Sequence, residues 1–247
     1  MNAFSADAAA DLLVVQFRQG TKTQPAMSGP GTRGEAYQVQ DRMIAALGGA
    51  CGWKVGRAKT DPEPYCAPVP ASRLLNSGGD YARFHGVAQV EAELGYRLGR
   101  DVPPSAAVLD RAECAALVDA IVPALEILKT RLEPPAAQDP LWKLADLQAN
   151  GALVVGKPVP WAGQDPGQVR LAIGSGQDGA FEGVAHPFGA PFDLFCWTVN
   201  HVARQRGGLK RGDVIITGSY CGIVEIRDPQ RFVATFADYG DVCLTVL

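Results

Sequence analysis

From residue 51 onward the chain is a succession of short apolar runs, and this pattern limits the folds open to it. The runs are rich in β-branched and aromatic residues and are bounded by glycine, proline and polar turn residues, which is typical of β-strands. Few helical segments separate them, so alternating βαβ units are not expected. We predict an α+β protein with a mainly antiparallel, β-rich domain over residues 51–247.

Helical patterns occupy the N-terminal part and two later segments. Residues 1–50 contain two amphipathic patterns that stop at glycines, so we predict a small helical N-terminal cap over this range. Inside the β-rich part, "RAECAALVDAI" (111–121) and "PFDLFCWTVNHVARQRG" (191–207) predict two more helices. The 247 residues are enough for one large core.

Composition narrows the class of protein further. The net charge of −3 gives no basic footprint for nucleic acid, so no nucleic-acid partner is expected. No apolar run approaches the roughly 20 residues that cross a bilayer, and no signal peptide is evident. Six scattered cysteines without a C-x-x-C pair favour free thiols in a reducing compartment. We therefore expect a cytoplasmic protein with no membrane partner.

Two carboxylates in "QVEAELGYRLGRD" stand in an unusual position. Glu91 and Glu93 are two residues apart in a predicted strand, so their side chains point to the same face. Like charges on one face repel unless something positive lies between them. Both side chains face water in one interpretation; in the other they point into the β core and hold a hard divalent cation such as Mg²⁺.

Two more charged residues lie among apolar neighbours. Glu126 stands between Leu125 and Ile127, where a carboxylate needs a cation; Lys129, Arg131 or a shared metal ion are the alternatives. Lys54 lies in "CGWKVG" and either extends to the surface or is buried near a metal or in an apolar pocket, where it would need a charged partner. In an apolar pocket or beside a metal its pKa would fall, which would make it a usable acid or base.

Other motifs carry less weight. "GSGQDG" (174–179) matches a dinucleotide fingerprint, but no helical pattern follows it, so it predicts a turn between strands. His85, His186 and His201 show no metal-ligand spacing, and surface or capping roles are expected for them.

Several segments resemble, in order, the fumarylacetoacetate hydrolase superfamily, in its branch of 2-keto-4-pentenoate hydratases and 2-oxo-acid decarboxylases. The segments are "EAYQVQ" (35–40), "GWKVG" (52–56), "VEAELGYRLGRDV" (90–102), "VPALEILKTRL" (122–132), "ADLQANGALVVG" (145–156) and "GAPFDLFCWTVNHVARQRGGLKRGDVIITGSYCG" (189–222). The E-A-E and G-D…T-G-S segments are the most specific. The resemblance covers most of the chain.

The resemblance implies a fold and a site. The implied fold is a rolled, mixed β-sandwich, usually in a homo-oligomer, whose catalytic domain here is residues 51–247. By position, one Mg²⁺ or Mn²⁺ would be held by Glu91, Glu93 and Glu126, and Lys54 would assist proton transfer. Ser219 is similar to a residue that contacts the substrate, and Asp146 aligns with the aspartate of A-D-N.

The implied activity is that of a lyase that acts on a small 2-oxo or 2-hydroxydienoic acid. The acid would chelate the ion through its carboxylate and C2 oxygen, and the ion would stabilise the enolate. Hydration of a 2-hydroxypenta-2,4-dienoate is the reaction expected first. A decarboxylase or C–C hydrolase of the same superfamily, a Schiff-base role for Lys54 and a non-catalytic relative remain alternatives.

The sequence departs from the hydratase pattern where the pocket is expected. The aspartate of P-D-[FY]-G is missing from "DPEPYCAPVPASRLL" (61–75), unless Asp61 or Glu63 replaces it. Leu147 stands for the asparagine of A-D-N, and Tyr220 and Cys221 follow the T-G-S motif. Substrate and reaction are therefore less constrained by the sequence than the metal site.

Overall fold

The computed structural model describes residues 3–58, 63–83, 86–175 and 182–247. The helices are α1 (Ala6–Gln19), α2 (Arg33–Ala46), α3 (Arg111–Ala115), α4 (Pro140–Ala145) and α5 (Pro191–Gln205). The strands are β1 (Ala50–Gly56), β2 (Tyr65–Pro70), β3 (Leu74–Asn76), β4 (Asp80–Tyr81), β5 (Ala88–Leu98), β6 (Val118–Leu128), β7 (Asn150–Val155), β8 (Val159–Pro160), β9 (Gln168–Gly174), β10 (Glu182–Ala185), β11 (Val214–Ile216), β12 (Val224–Ile226), β13 (Gln230–Phe236) and β14 (Gly240–Val246). In the described ranges, no helix is long and apolar enough to cross a membrane.

The N-terminal helices begin and end where the sequence predicts. The Ser5 side chain accepts a hydrogen bond from the Ala8 amide, and Gly20 closes α1 in the left-handed conformation. Thr32 accepts from the Glu35 amide at the start of α2. Short polar caps of this kind satisfy amides that the first helical turn leaves without partners.

A nine-stranded sheet forms the centre of the fold. Its strand order is β2-β1-β11-β5-β6-β7-β3, with β12 also paired to β5 and β8 to β6. β1 runs parallel to β11 and β3 runs parallel to β7, whereas the other pairs in this sheet are antiparallel. Gly52 permits the β1–β11 pairing, because a Cβ there would come within 2.2 Å of the Val214 carbonyl oxygen.

A five-stranded sheet of order β10-β9-β13-β14-β4 packs against the large sheet. The main core includes Ala92, Leu94 and Leu125 of the large sheet, Phe236 of the small one and Phe195 of α5. Burial of these apolar side chains is the main favourable contribution to the packing of the two sheets. The mixed sheets and few helices confirm the α+β prediction.

The N-terminal helices share a second core with a later segment. Leu13 of α1 and Met43 of α2 pack in the same apolar cluster as Trp142 of α4 and Leu147. The helical unit therefore includes residues well beyond position 50. It lies beside the β1–β2 edge of the large sheet, where Ala67 joins the same cluster.

Two of the helix predictions differ from the structure. α3 ends at Ala115, because the apolar run that follows enters β6 and pairs with β5 over its whole length. α4 was not predicted; it begins with Asp139 as N-cap and Pro140 in its first turn. Gly174, the first residue of the Gly-rich motif, ends β9, which pairs antiparallel with β10; residues 176–179 of the motif lie outside the described residues.

Candidate functional site

Three carboxylates meet on the face of the large sheet that is turned away from the small sheet. In the antiparallel β5–β6 pair, Glu91 lies directly opposite Glu126 and Glu93 opposite Ala124, so strand alternation brings all three glutamates to one face. One oxygen from each carboxylate lies within 4.8 Å of an oxygen of the other two. The intervening residue Ala92 packs into the core between the sheets, so neither glutamate points there.

The cluster is largely shielded from water. Glu93 is 3% exposed and Glu126 is fully buried, whereas Glu91 is half-buried. Burial, together with the charges of Glu126 and Glu91, raises the pKa of Glu93 well above the ordinary glutamate value. Burial and Glu126 also raise the pKa of Glu91. Burial is the largest cause of both shifts, and the repulsion between the neighbouring carboxylates adds to it.

Lys54 of β1 provides the positive charge within the cluster. Its Nζ lies 2.7 Å from Glu126 Oε1 and donates to the carbonyl oxygen of Gln148 at 3.2 Å. The side chain is 15% exposed, so it is not a surface lysine, and the partner of Glu126 is neither Lys129 nor Arg131. Burial lowers the pKa of Lys54, but Glu126, Glu91 and Glu93 together raise it above its usual value. Lys54 thus lies among three carboxylates rather than in an apolar pocket, so the fall in pKa expected for such a pocket does not apply to it.

The remaining contacts of the carboxylates come from two backbone segments. The Gly218 amide, just after β11, donates to Glu93 Oε2 at 2.6 Å. Gly218 has a φ of +128°, and a Cβ at this position would crowd the Phe188 ring. Asn150 Nδ2 donates to Glu126 Oε1 at 2.8 Å. These contacts fix the orientation of two carboxylates before any ligand enters.

The donor set fits a hard divalent cation. Glu126 Oε2 is buried and has no hydrogen-bond partner among the residues that the structure describes. An orphaned buried carboxylate oxygen is costly unless a cation binds it. Three carboxylates on adjacent strands offer the oxygen ligands that Mg²⁺ and Mn²⁺ prefer. The arrangement can therefore hold one such ion on Glu91, Glu93 and Glu126.

A cavity of about 160 Å³ opens over the carboxylates and Lys54. Ser219 lines it, as expected for a substrate contact, although its hydroxyl already donates to the Gly222 carbonyl oxygen at 3.0 Å. Tyr65, Gln148 and Phe188 also line it, and sequence reasoning did not select them. For Tyr65 a signal existed: it lies in the "PYCA" that replaces the P-D-[FY]-G segment.

Asp146 does not line this cavity, which argues against the predicted substrate contact. It is fully buried in an ion pair with Arg131, and its Oδ2 accepts from Thr130 Oγ1 at 2.8 Å and from the Arg131 amide at 2.9 Å. Arg131 also donates to the Asn150 carbonyl oxygen. The pair thus holds the ends of the turn that carries Gln148 and Asn150 to the site.

That turn has an uncommon backbone. Leu147, Gln148 and Ala149 have φ values of 52°, 53° and 59°, in the left-handed region that non-glycine residues rarely adopt. The Lys129 amide donates to the Ala149 carbonyl oxygen at 2.6 Å and fixes the turn from the neighbouring segment. The strained geometry directs the Gln148 carbonyl oxygen towards Lys54.

The other predicted candidates lie elsewhere or outside the described residues. Glu63 is exposed and pairs with Arg33 at 3.4 Å, and Asp61 is not among the described residues. His186 is 4% exposed rather than on the surface, and burial lowers its pKa to about 4. The His201 ring stacks on Trp197, with 4.7 Å between centroids. His85 lies outside the described residues.

Comparison with known proteins gives sequence relatives of one kind. No family model matches the chain. The chain is 26% identical over 162 residues to a 2-keto-4-pentenoate hydratase of Paraburkholderia xenovorans (strain LB400), a match that covers 62% of this chain and 57% of the relative. 2-Keto-4-pentenoate hydratase 1 of Dechloromonas aromatica (strain RCB) is 26% identical over 165 residues, again with 62% of this chain covered and 58% of the relative. The matches thus span less than two thirds of the length of these relatives.

Solved structures similar to this chain have the same architecture. The 4-oxalocrotonate decarboxylase from Pseudomonas putida G7, complexed with magnesium and adipate, matches with a TM-score of 0.80 at 17% identity, with both chains fully covered. The fumarylpyruvate hydrolase from Pseudomonas aeruginosa, in complex with Mn²⁺ and pyruvate, matches with a TM-score of 0.57 at 17% identity, over 79% of this chain and 88% of that one.

These likenesses show a fold class, a mixed two-sheet α+β fold. The 4-oxalocrotonate decarboxylase and the fumarylpyruvate hydrolase share this fold, and the resemblance to 2-keto-4-pentenoate hydratases that the sequence motifs indicated is confirmed by the sequence relatives.

Proposed function

We propose that this protein is a divalent-metal-dependent lyase that acts on a small 2-oxo or 2-hydroxydienoic acid. The proposed reaction is the hydration of a 2-hydroxypenta-2,4-dienoate-type compound. The observation that carries the proposal is the buried glutamate cluster with its orphaned Glu126 oxygen and the adjacent Lys54. A chain without a ligand for this cluster would gain nothing from burying three carboxylates.

Glu91, Glu93 and Glu126 would hold one Mg²⁺ or Mn²⁺. When bound, such an ion supplies Lewis-acid chemistry towards a carbonyl or enol oxygen. The Gly218 amide and the Asn150 side chain keep two of the carboxylates oriented, so little reorganisation is needed when an ion enters.

Lys54 is the proton-bearing residue of the proposed mechanism. Its Nζ lies 2.7 Å from Glu126 Oε1 at the wall of the cavity, where it would pass a proton to or from a bound substrate. The Gln148 carbonyl oxygen and Glu126 hold its Nζ in place. Ser219, which lines the cavity, would contact the substrate carboxylate or carbonyl oxygen.

The comparisons support the class of reaction. The sequence relatives are 2-keto-4-pentenoate hydratases, and solved neighbours of the same fold were complexed with magnesium or manganese. Because the match covers only part of the relatives, the assignment of the reaction depends on the experiment below.

The test uses Mn²⁺-loaded protein with 2-hydroxypenta-2,4-dienoate and, separately, with oxaloacetate, and reads the products by mass spectrometry. The proposal predicts a product of the dienoate that is heavier by one water. Glu93→Gln, which replaces one carboxylate by a neutral amide of nearly the same shape, is the matched inactive control. Release of carbon dioxide from oxaloacetate alone would move the assignment to a decarboxylase.

We also propose a cytoplasmic homo-oligomer, as is usual for the superfamily. Size-exclusion chromatography with light scattering measures the mass in solution, and a single 26.1 kDa species would contradict the oligomer.

A further inference from the structure

Tyr65 lies on the same face of the large sheet as Lys54. In the antiparallel β1–β2 pair it is directly opposite Gly56, and residues paired in this way have their side chains on one face. Lys54 and Gly56 are two residues apart in β1, so the lysine points to that face as well. Strand pairing therefore places the phenol ring beside the lysine that reaches the glutamate cluster.

Gly56 leaves the space in which this ring lies. A Cβ at position 56 would come within 3.1 Å of Tyr65 Cε2 and within 3.2 Å of its hydroxyl oxygen, which is closer than side chains normally pack. The ring therefore extends across β1, and Tyr65 lines the cavity over the carboxylates. Because two paired strands fix this position, the hydroxyl is held in place before a substrate enters.

The Tyr65 hydroxyl is free to contact a bound molecule. It has no hydrogen-bond partner among the residues that the structure describes, and protein atoms do not enclose it. Burial raises the pKa of Tyr65, and the charge of Lys54 offsets this only in part, so the hydroxyl carries its proton at neutral pH. A protonated hydroxyl without an internal partner can donate to a substrate.

Hydration of a 2-hydroxypenta-2,4-dienoate requires protons at two different carbon atoms. The dienol is electron-rich, so water adds to C4 only after C5 has taken a proton and C2 has become a carbonyl group conjugated with a 3,4 double bond. C3 takes the second proton after the water has added. An acid held at one point of the cavity does not reach C3 and C5 equally well, so two acids at different points suit this reaction.

Few groups in the cavity lining have a proton to give. The glutamates would bind the ion, and the Ser219 hydroxyl donates to the Gly222 carbonyl oxygen. Of the described lining residues, Lys54 and Tyr65 remain. Tyr65 also lines an adjoining cavity of about 400 Å³ that neither Lys54 nor any of the three glutamates lines. It therefore lies on the side of the site towards which the far carbon of a metal-bound acid extends.

We propose that Tyr65 is a catalytic residue that gives the proton to C5 of the substrate, which leaves the transfer at C3 to Lys54. This inference rests on the proposed function, because it assigns a residue to one step of that reaction.

The proton transfer to C5 balances without a further reagent. The O–H bond of Tyr65 breaks, and the electron pair of the 4,5 double bond forms the new C5–H bond. The electron pair of the 2,3 double bond moves between C3 and C4, and the enol O–H bond breaks as its pair forms the C2 carbonyl group. The enol proton passes through solvent to the Tyr65 oxygen and restores the hydroxyl. The product of this step is 2-oxopent-3-enoate, an isomer of the substrate.

The test compares Mn²⁺-saturated wild type and Tyr65→Phe on two substrates. Freshly generated 2-hydroxypenta-2,4-dienoate needs the proton at C5, whereas 2-oxopent-3-enoate already has it. Initial rates of formation of 4-hydroxy-2-oxopentanoate are read by mass spectrometry. Tyr81→Phe, which alters a half-buried tyrosine of β4 that lines neither cavity, is the matched control. Because the Tyr65 hydroxyl has no partner among the described residues, Tyr65→Phe should keep the wild-type Tm and its response to Mn²⁺.

We expect Tyr65→Phe to lose about 10²–10⁴-fold in kcat with the dienoate and to keep the wild-type rate with 2-oxopent-3-enoate. Tyr81→Phe should match the wild type with both substrates. Near-wild-type turnover of the dienoate by Tyr65→Phe, or an equal loss with both substrates, would overturn the inference but leave the hydratase intact. Wild-type protein that hydrates the dienoate alone would overturn it as well. Wild-type protein that hydrates neither substrate would refute the proposed function and the inference with it.

Discussion

Replacing Glu93 by glutamine should have opposite effects on the metal-free and the metal-loaded protein. The substitution removes one charge from three carboxylates whose ligand oxygens lie within 4.8 Å of one another. The amide oxygen can still accept the Gly218 hydrogen bond, so the local backbone should be preserved. We therefore expect a folded variant in which electrostatics alone has changed.

The magnitudes follow from the geometry. At an effective dielectric constant of about 20, two like charges 4.8 Å apart repel by about 3.5 kcal/mol. Lys54 and partial protonation offset much of this, so the free energy of unfolding of the metal-free variant should rise by about 1–2 kcal/mol. In the wild type, a metal ion at about 100 times its Kd should add about 2.7 kcal/mol, a shift in Tm of about 5–10 °C.

Thermal denaturation followed by circular dichroism, with EDTA or with Mn²⁺, measures both effects. The variant should have a higher Tm than the wild type in EDTA and should not respond to Mn²⁺. Asp119→Asn, which removes a partly exposed carboxylate outside the cluster, is the control and should retain the full response to Mn²⁺. A Glu93→Gln protein that Mn²⁺ stabilises as much as the wild type would refute the reasoning.

Three further outcomes are expected. Lys54→Met should bind the metal yet lose about 10²–10⁴-fold in kcat, measured by steady-state kinetics, and near-wild-type turnover would remove this residue from the mechanism. Arg131→Met should lower the free energy of unfolding by about 3–5 kcal/mol in urea titrations, because it leaves the buried Asp146 carboxylate without its cation; a loss below about 1 kcal/mol would show that the pair is dispensable. In EDTA, the wild type should lose stability as the pH rises above the ordinary glutamate pKa, because folded Glu93 and Glu91 retain protons that the unfolded chain has released. Mn²⁺ should suppress this loss, and melting curves recorded at a series of pH values measure both effects.

The spacing of the acidic residues predicted that two of them share a face, and the ligand set was implied only by the family resemblance. Period-two alternation placed Glu91 and Glu93 on one face, whereas the apolar neighbours of Glu126 and Lys54 left the burial and the pairing of these two charges open. The alternation did not reveal which face of the sheet is turned to the core, because Ala92 and Leu94 are as suited to a core as the glutamates are to a covered cavity.

Residues held by irregular backbone could not be found in this way. Gln148 and Asn150 reach the site through three consecutive left-handed residues, none of which is glycine, so no local sequence pattern indicates the turn. The turn depends on the buried pair of Asp146 with Arg131, a contact between residues 15 positions apart in the chain. Likewise, α3 is shorter than its pattern because strand pairing of the following residues overrides helix propensity.

The central claim is that Glu91, Glu93 and Glu126 together bind one divalent ion. Crystals of the protein grown with Mn²⁺ and measured at a wavelength that reveals the manganese anomalous signal test it directly. The account predicts one strong peak bounded by an oxygen of each of the three glutamates, at about 2.0–2.3 Å, and no such peak in Glu93→Gln crystals. A fully ordered cluster without a peak, or with a peak elsewhere, would contradict the account.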